Sequence, residues 1–215
     1  MPVPELWILA GPNGAGKSTA VQRSSISKNV LGVGFINPDD RTLHKLLAAG
    51  YSGFADTPHR ILYELFIESA NEVSKELEEK IEAGEPIGVE TVLSSEKYRP
   101  LVETIRTRMG FFGLIYIAVS SPEISKARVA ARVRRFGHGV PEDKITLRWH
   151  RSLDCLGWFA ERANDFWVFD NSDSNPAIAP KLLSSGKNGR LEFLASDAFP
   201  EMKAALASLP TPPLK

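Results

Sequence analysis

The chain has 215 residues, a length typical of one α/β domain and short for two. Its 26 basic and 26 acidic residues balance, so no overall charge attracts nucleic acid or an anionic membrane, and we expect neither as a partner. The one cysteine, Cys155, excludes an internal disulfide and favours a reducing compartment. Residues 1–5 lack a basic segment and the apolar run after them is short, so we expect no signal peptide, no membrane span and a cytoplasmic location.

The first predicted element is a strand, the apolar run Leu6–Ala10, which leads directly into a glycine-rich loop. Residues 11–19 match the phosphate-loop pattern G-x-x-x-x-G-K-[ST] at every fixed position. Glycines there permit positive φ and leave no Cβ in the way, so consecutive backbone N–H groups can surround phosphate oxygens. We therefore predict that the loop binds ATP through Gly11, Asn13, Gly14, Ala15, Gly16, Lys17, Ser18 and Thr19.

Two side chains of this loop carry the chemistry that the pattern predicts. Lys17 supplies a positive charge for the β and γ phosphates. Ser18 opens the next helix, where the helix dipole adds to the anion site and the hydroxyl can ligate Mg²⁺. The simpler alternative is a glycine-rich turn with a solvated lysine. The preceding strand and the Ser-Thr pair favour the phosphate site, with ATP and Mg²⁺ as cofactors.

The second predicted strand, residues 32–36, leads two carboxylates to the same edge of the sheet. Asn37-Pro38 ends this strand, and Asp39 and Asp40 follow. Ligands of open α/β sheets lie at the carboxyl ends of the strands, so these carboxylates are predicted to lie beside the phosphates. Either one could instead cap the next helix. We predict that Asp39 acts at the site and that Asp40 is the cap.

Strands and helices alternate through the rest of the chain, which predicts a parallel sheet with right-handed crossovers. Apolar residues three and four apart predict a long helix between Thr57 and Gly84, and the apolar run Phe111–Val119 predicts a central strand. The predicted fold is a three-layer α/β/α phosphate-loop NTPase with a mainly parallel sheet of five or six strands. Residues 1–209 form one predicted domain, and 210–215 a disordered tail. Further predicted elements are strands at 86–91, 165–171 and 191–194 and helices at 18–24, 96–109 and 200–209.

Two predicted helices around a glycine-bounded turn carry matching rows of basic residues. In each row the residues fall at i, i+4 and i+7, so they stack on one helix face and repel by a few tenths of a kcal/mol per pair, as an order of magnitude. The alternative interpretation is two solvated faces. A balanced total charge beside a polyphosphate site favours a phosphate-closing lid over residues 123–151. The rows are Arg128, Arg132 and Arg135, then Lys144, Arg148 and Arg151.

A phosphate loop, a carboxylate after the second strand, a glutamate after the third strand and an arginine lid are the parts of a phosphoryl-transfer site. Lys17 and a Mg²⁺ ion on Ser18 would hold the phosphates, and the lid arginines would neutralise developing charge. Asp39 would accept the proton of an incoming hydroxyl. Lid closure would exclude the competing water.

These motifs, in this order, resemble the zeta-toxin-like P-loop kinases. The resemblance spans residues 5–172 and rests on G-P-N-G-A-G-K-S-T, I-N-P-D-D, V-E-T-V-L-S-S, R-V-R-R-F-G-H-G-V-P-E-D and R-W-H-R-S-L. It implies an adenylate-kinase-like core and ATP-dependent phosphorylation of a hydroxyl, which true zeta toxins carry out on UDP-N-acetylglucosamine. It also implies an antitoxin protein as a partner. By this resemblance Asp39 looks like the catalytic base, Glu90 like the substrate-binding acid, and Arg132 or Arg135 and Arg148 like the lid arginines.

The chain departs from that family in two places. After the glutamate of the third strand the toxins have a glycine- and arginine-containing segment that grips the sugar nucleotide, whereas this chain has Thr91-Val92-Leu93-Ser94-Ser95. The lid turn has His138 where the toxins have an arginine. Two other functions stay open: an ATPase or nucleotide-dependent switch without an acceptor, and a nucleotide or metabolite kinase of the same fold. The predicted substrate-binding residues are Asp39, Glu90, Thr91 and Ser94.

Overall fold

A mixed sheet forms the centre of the fold in the computed structural model, which describes residues 3–23, 33–134, 139–175 and 177–211. Its strands are β1 (Glu5–Ala10), β2 (Phe35–Ile36), β3 (Ile87–Thr91), β4 (Phe111–Ala118), β5 (Asp165–Asp170), β6 (Lys181–Lys187) and β7 (Arg190–Leu194). They are ordered β2-β3-β1-β4-β5-β6-β7. β1 to β5 are parallel, and β6 and β7 are antiparallel. The predicted α/β class with a mainly parallel sheet is confirmed.

The middle of the sheet is buried on both faces. Every residue from Leu6 to Ala10 of β1 is buried, and so is every residue from Phe112 to Ala118 of β4. Successive side chains of a strand point to opposite faces, so both faces of these two strands are covered. A strand that meets water on neither face has no polar alternation, which is why the apolar run at 111–119 predicted a central strand correctly.

The topology places a crevice at the end of β1. This strand lies between β3 and β4, so the chain builds one side of the sheet after β1 and the other side from β4 onward. In open α/β sheets such a reversal creates a crevice outside the carboxyl ends of the strands, where ligands bind. The glycine-rich loop follows β1 directly and therefore opens into that crevice.

The helices of the described residues are α1 (Lys17–Arg23), α2 (Pro38–Ala48), α3 (His59–Ala83), α4 (Arg99–Thr107), α5 (Pro122–Val133), α6 (Glu142–Arg162) and α7 (Pro200–Leu206). The predicted ends of two helices are confirmed. α3 ends at Gly84, which has a left-handed φ of 71°. Ser121 is the N-cap of α5, and its hydroxyl accepts a hydrogen bond from the N–H of Ile124 at 3.4 Å. Among the helices of these ranges, none combines the length and the apolar character that crossing a membrane requires.

The sheet has seven strands, which corrects the five or six predicted. The predicted edge strand at 191–194 is β7, whereas β6, with the sequence Lys-Leu-Leu-Ser-Ser-Gly-Lys, was missed because it has no β-branched or aromatic residue. Pairing with β5 decides its conformation, since β6 follows β5 along its whole length. Gly186 permits this approach: a Cβ there would lie 2.3 Å from the Phe166 ring.

Three element boundaries also differ from the predictions by three residues, and one of them is the end of α7, at Leu206 instead of 209. β2 comprises only Phe35 and Ile36 instead of 32–36. α4 begins at Arg99 instead of Glu96, because a turn closed by the Arg99 N–H on the Glu96 carbonyl at 2.8 Å precedes it and Pro100 suits the first helical turn. The predicted tail at 210–215 lies outside the described residues from 212 onward, so the domain limits stay a prediction.

Candidate active site

The loop after β1 has the backbone shape that a phosphate site requires. Gly11, Gly14 and Gly16 have φ values of 143°, 73° and 76°, as the sequence led us to expect. A Cβ on Gly11 would lie 2.1 Å from the Ile117 carbonyl oxygen, and one on Gly14 would lie 2.8 Å from that of Ser125. Glycine is therefore required for two reasons: the loop adopts a positive φ at these positions, and β4 and α5 pack closely against it.

Two side chains from outside the loop fix its backbone. Asn171, directly after β5, donates from Nδ2 to the Ala15 carbonyl at 2.7 Å. Arg128 of α5 donates to the Gly14 carbonyl at 3.5 Å and to the Asp173 carbonyl at 2.7 Å. Asn171 was not predicted as a site residue, although a polar residue directly after a parallel strand is a signal for the carboxyl edge. Arg128 supports the loop from the side, which corrects its assignment to a row facing the cleft.

Lys17 lies between the loop carbonyls and a carboxylate. Its Nζ donates to the Gly11 carbonyl at 3.1 Å and to the Pro12 carbonyl at 3.4 Å, and lies 3.9 Å from Oε1 of Glu90. The Ser18 hydroxyl donates to Oε2 of the same glutamate at 2.8 Å. Burial lowers the pKa of Lys17, and the charges of Glu90 and Asp39 oppose that shift. The lysine and both carboxylates therefore form one electrostatic unit.

The predicted cap of the helix after β2 is wrong. Asn37 is the N-cap of α2, and its Oδ1 accepts a hydrogen bond from the Asp39 N–H at 2.9 Å. Pro38 takes the first helical position, which its fixed φ favours, so the helix begins before both aspartates. Asp39 and Asp40 are consequently exposed first-turn residues that line the same cleft. The capping role predicted for Asp40 is therefore excluded. The role of Asp39 as the base at the site stays a prediction.

One cleft of about 960 Å³ brings most of the predicted site residues together. Thr19 is exposed in the first turn of α1, and Ala15 and Gly11 form the buried floor of the loop. Arg135 and His138 lie outside the described residues. The predicted residues that line the cleft are Asn13, Gly14, Lys17, Ser18, Asp39, Glu90, Thr91, Ser94, Arg132 and Arg148.

Part of the two basic rows faces away from this cleft, contrary to the prediction. Arg132 of α5 and Lys144 and Arg148 of α6 line it. Arg151 is exposed outside it, because beyond Arg148 the helix leaves the cleft and buries its inner face in the core. Helical spacing aligned the rows in the sequence, but tertiary packing decides which members reach the site.

The turn after β3 is fixed by a buried hydroxyl network that was not predicted from the sequence. Ser152 of α6 donates to the Val92 carbonyl at 2.7 Å, and its Oγ lies 2.9 Å from the Tyr116 hydroxyl of β4. Leu93 has a φ of 59°, a strained value for a side chain of this kind. The network ties the cleft segment that follows Glu90 to the same helix that carries Arg148.

The donor set fits a nucleotide and a hard metal ion. In the described part of the chain the buried Asn13 Oδ1 has no hydrogen-bond partner, and it lies in the cleft wall. Ser18 and Glu90 offer adjacent oxygen atoms, the ligand type that Mg²⁺ takes. No group of three His, Cys, Asp or Glu residues in the described ranges could hold a metal ion. Mg²⁺ usually binds one or two protein oxygens together with phosphates and water, so the residues present fit it.

Comparisons with known proteins give structural matches. No protein-family model and no curated protein matches the sequence. A chain of the AvrRxo1-ORF1:AvrRxo1-ORF2 complex, crystallised with ATP, matches with a TM-score of 0.64 at 16% identity, covering 100% of this chain and 65% of that one. A chain of the PezAT toxin-antitoxin system of Streptococcus pneumoniae matches with a TM-score of 0.53 at 14% identity, covering 78% of this chain and 68% of that one.

These matches show the fold. The chain shares its fold with a chain of the AvrRxo1-ORF1:AvrRxo1-ORF2 complex and with a chain of the PezAT toxin-antitoxin system, at low sequence identity. It spans 65% of the length of the AvrRxo1 chain, which therefore contains a substantial part without a counterpart here.

Proposed function

We propose that this protein is an ATP-dependent kinase that transfers the γ-phosphate to a hydroxyl of a small molecule. The observation that carries the proposal is one cleft lined by the phosphate loop, by Asp39 and Glu90, and by Arg132 and Arg148. Phosphoryl transfer needs little covalent chemistry from a protein and depends on positioning and charge neutralisation. This cleft supplies both.

The donor half of the reaction belongs to the loop and its neighbours. The loop N–H groups and Lys17 bind the β and γ phosphates, and displacement of the two carbonyl contacts of Nζ frees the ammonium group for them. Ser18 and Glu90 would hold Mg²⁺, which when bound neutralises phosphate charge. Arg132 and Arg148 bind the equatorial oxygens of the transferring group, where negative charge persists through the transition state.

The acceptor half needs a base. Asp39 takes the proton of the acceptor hydroxyl as its oxygen attacks the γ phosphorus, and the bond from phosphorus to the bridging oxygen of ADP breaks. The position of Asp39 supports this role, because its side chain lines the same cleft as Lys17. Glu90, Thr91 and Ser94 bind the acceptor.

Two findings guide the choice of ligands. The match to a chain crystallised with ATP supports ATP as the donor. The motif resemblance makes UDP-N-acetylglucosamine the first acceptor to test, and the match to a toxin-antitoxin system makes a protein partner worth seeking. Because the segment at 91–95 differs from that of the toxins, other nucleotide sugars, nucleosides and simple sugars belong in the panel.

The test is ADP release with and without each acceptor, with product masses. We expect one acceptor class to stimulate ADP release and to gain the mass of one phosphoryl group, with no product from the Lys17→Ala variant. Equal ADP release in every tube, with free phosphate as the product, would contradict the kinase and support the acceptor-free ATPase. If the protein neither released ADP nor bound ATP, both the kinase and the ATPase proposals would be wrong.

A further inference from the structure

A second cavity lies outside the cleft, between α3 and the segment that contains α4. Its volume is about 360 Å³, within the range of pockets that bind small molecules. The buried side chains of Leu77, Ile81 and Tyr98 form its apolar floor. The proposed reaction uses none of these side chains, so the cavity has no role yet.

Two basic side chains cross from the α4 segment to α3 along this cavity. Lys97 donates from Nζ to the Ala70 carbonyl at 3.4 Å, and Arg108 donates from Nη1 to the Ile81 carbonyl at 3.3 Å. The earlier donor meets the earlier carbonyl, so the two helices run in the same direction. With a rise of 1.5 Å per residue, the two contacts are about 16 Å apart along α3. Both basic residues line the cavity, which is therefore an elongated groove with a cation toward each end.

Two carboxylates of α3 line the same groove without an ion-pair partner. Glu78 and Glu82 are exposed and one helical turn apart, so they share a helix face and repel each other. Neither forms a salt bridge within the described residues, whereas their neighbour Glu79 pairs with Lys75 at 3.5 Å. The pair therefore offers an unsatisfied negative site on the groove.

The groove also keeps its own charges apart. Lys97 and Arg108 bind backbone carbonyls and, in the part of the chain that the structure describes, pair with no carboxylate. Burial lowers the pKa of Lys97, as expected for an ammonium group without a counterion. Unpaired charges of both signs around an apolar floor favour a ligand that carries both signs on an apolar body.

Tyr98 connects this groove to the cleft. Its ring lines both cavities and is 6% exposed. Burial raises the pKa of Tyr98 to about 12, and a hydrogen bond with the Thr91 side chain opposes that shift. Thr91 Oγ1 in turn accepts the Leu93 N–H at 3.2 Å. A ligand packed on Tyr98 would therefore act on the turn that follows β3.

We propose that the groove between α3 and α4 is a regulatory site for a small zwitterion with an apolar body, the chemistry of a free amino acid or a short peptide. The ammonium group binds between Glu78 and Glu82, and the carboxylate binds Lys97. The apolar part covers the floor and holds the Tyr98 ring against Thr91, which restrains the acceptor side of the cleft. The site goes beyond the proposed kinase function and does not rest on it.

The test compares four forms of one apolar body by titration calorimetry. They are leucyl-leucine, its C-terminal amide, its N-acetyl derivative and the derivative blocked at both ends. We expect the zwitterion to bind tightest and each blocked charge to weaken binding about fivefold, the upper range for a partly exposed ion pair. Equal affinity of all four, binding of none, or tighter binding of the amide than of the zwitterion would overturn the proposal.

Charge-neutral substitutions assign the two ends of the ligand. Glu78→Gln combined with Glu82→Gln should remove the advantage of the free ammonium group and keep that of the carboxylate, and Lys97→Gln should do the reverse. Glu79→Gln is the matched control, because Glu79 is exposed on the same helix but does not line the groove. If both advantages survived in the groove variants, the assignment would be wrong.

Hydrogen exchange measures the effect on the cleft without turnover. Bound leucyl-leucine should slow exchange in residues 91–95. Tyr98→Phe should keep peptide binding but lose the slowing, because it retains the ring and lacks the hydroxyl that bonds to Thr91. Unchanged exchange in the wild-type protein would overturn the regulatory role. ADP release is read separately, so failure of the proposed kinase function would leave these results intact.

Discussion

The phosphate loop and the acceptor side of the cleft are built in different ways. The loop takes its shape from residues 11–19, with three positive-φ glycines and contacts from Asn171 and Arg128. The acceptor side is assembled from Asp39 on α2 and from Glu90 and Thr91 on β3, and the arginines that bind the transferring group come from two further helices. A local pattern thus forms the nucleotide site, whereas the acceptor site depends on how distant elements pack. We accordingly expect substitutions in the nucleotide site to abolish activity, and substitutions in the acceptor site to reduce it by different amounts.

The largest expected effect is on the loop. Lys17→Ala should abolish transfer to any acceptor and weaken ATP binding, while the thermal unfolding midpoint changes little, because the contacts of Nζ within the described part of the chain are with two loop carbonyls and Glu90. Titration with ATP and a thermal melt measure the two effects.

Gly11→Ala provides the contrast within the same loop. A Cβ there would lie 2.1 Å from the Ile117 carbonyl at a φ of 143°, so this variant should lose both ATP binding and thermal stability. Wild-type turnover in Lys17→Ala, or an unchanged melt in Gly11→Ala, would contradict the division of roles.

The second expected effect separates the two aspartates of α2. Asp39→Asn should retain ATP binding but reduce transfer by on the order of 10²- to 10⁴-fold, the usual contribution of a positioned base. Asp40→Asn should be nearly neutral, because Asn37 caps the helix and keeps the backbone in place in both variants. Steady-state rates with a fixed acceptor decide the matter. Loss of activity in Asp40→Asn alone would exchange the two roles.

The difference between the two halves also explains what the sequence could predict. Positive φ at three loop glycines, the central strand at 111–118 and the caps at Ser121 and Gly84 each follow from a few adjacent residues. Such features depend on local sterics and hydrogen bonding, so a pattern in the chain is sufficient to find them.

The errors share the opposite cause. β6 has weak strand propensity and forms because β5 pairs with it. Helical spacing put Arg128 and Arg151 in the basic rows, but packing sends one to the loop backbone and the other to the surface. The aspartates after β2 lost the capping role to Asn37 because Pro38 starts the helix earlier. To avoid these errors, one would have had to know which distant residues contact each segment, or which of several adjacent residues caps the helix.

The third expected effect concerns the lid helices. Arg132→Ala combined with Arg148→Ala should lower kcat by on the order of 10²-fold or more, and should weaken ATP binding less, because these charges matter most in the transition state. Arg151→Ala is the matched control, since it lies one turn beyond Arg148 on the same helix and is exposed outside the cleft. Equal losses in kcat and ATP affinity would mean that the arginines bind only the ground state, and an unchanged rate would restore the solvated-face interpretation.

The smallest expected effect on activity tests whether the acceptor side depends on distant packing. Ser152 donates to the Val92 carbonyl at 2.7 Å, so its oxygen must accept from the Tyr116 hydroxyl at 2.9 Å. Ser152→Ala leaves the carbonyl and the buried phenol without their partner, which costs about 1–3 kcal/mol of stability. Tyr116→Phe removes the phenol but keeps the serine bond, so it should cost less.

The segment held by Ser152 follows Glu90 and Thr91, so its release should also loosen the acceptor site. We expect Ser152→Ala to raise the acceptor KM a few-fold with the ATP KM unchanged, and Tyr116→Phe to leave both near wild type. Thermal melts and two KM titrations separate these outcomes. If the ATP KM rose as much as the acceptor KM, the turn after β3 would be coupled to the phosphate loop, and the two halves of the cleft would have to be treated as one structural unit.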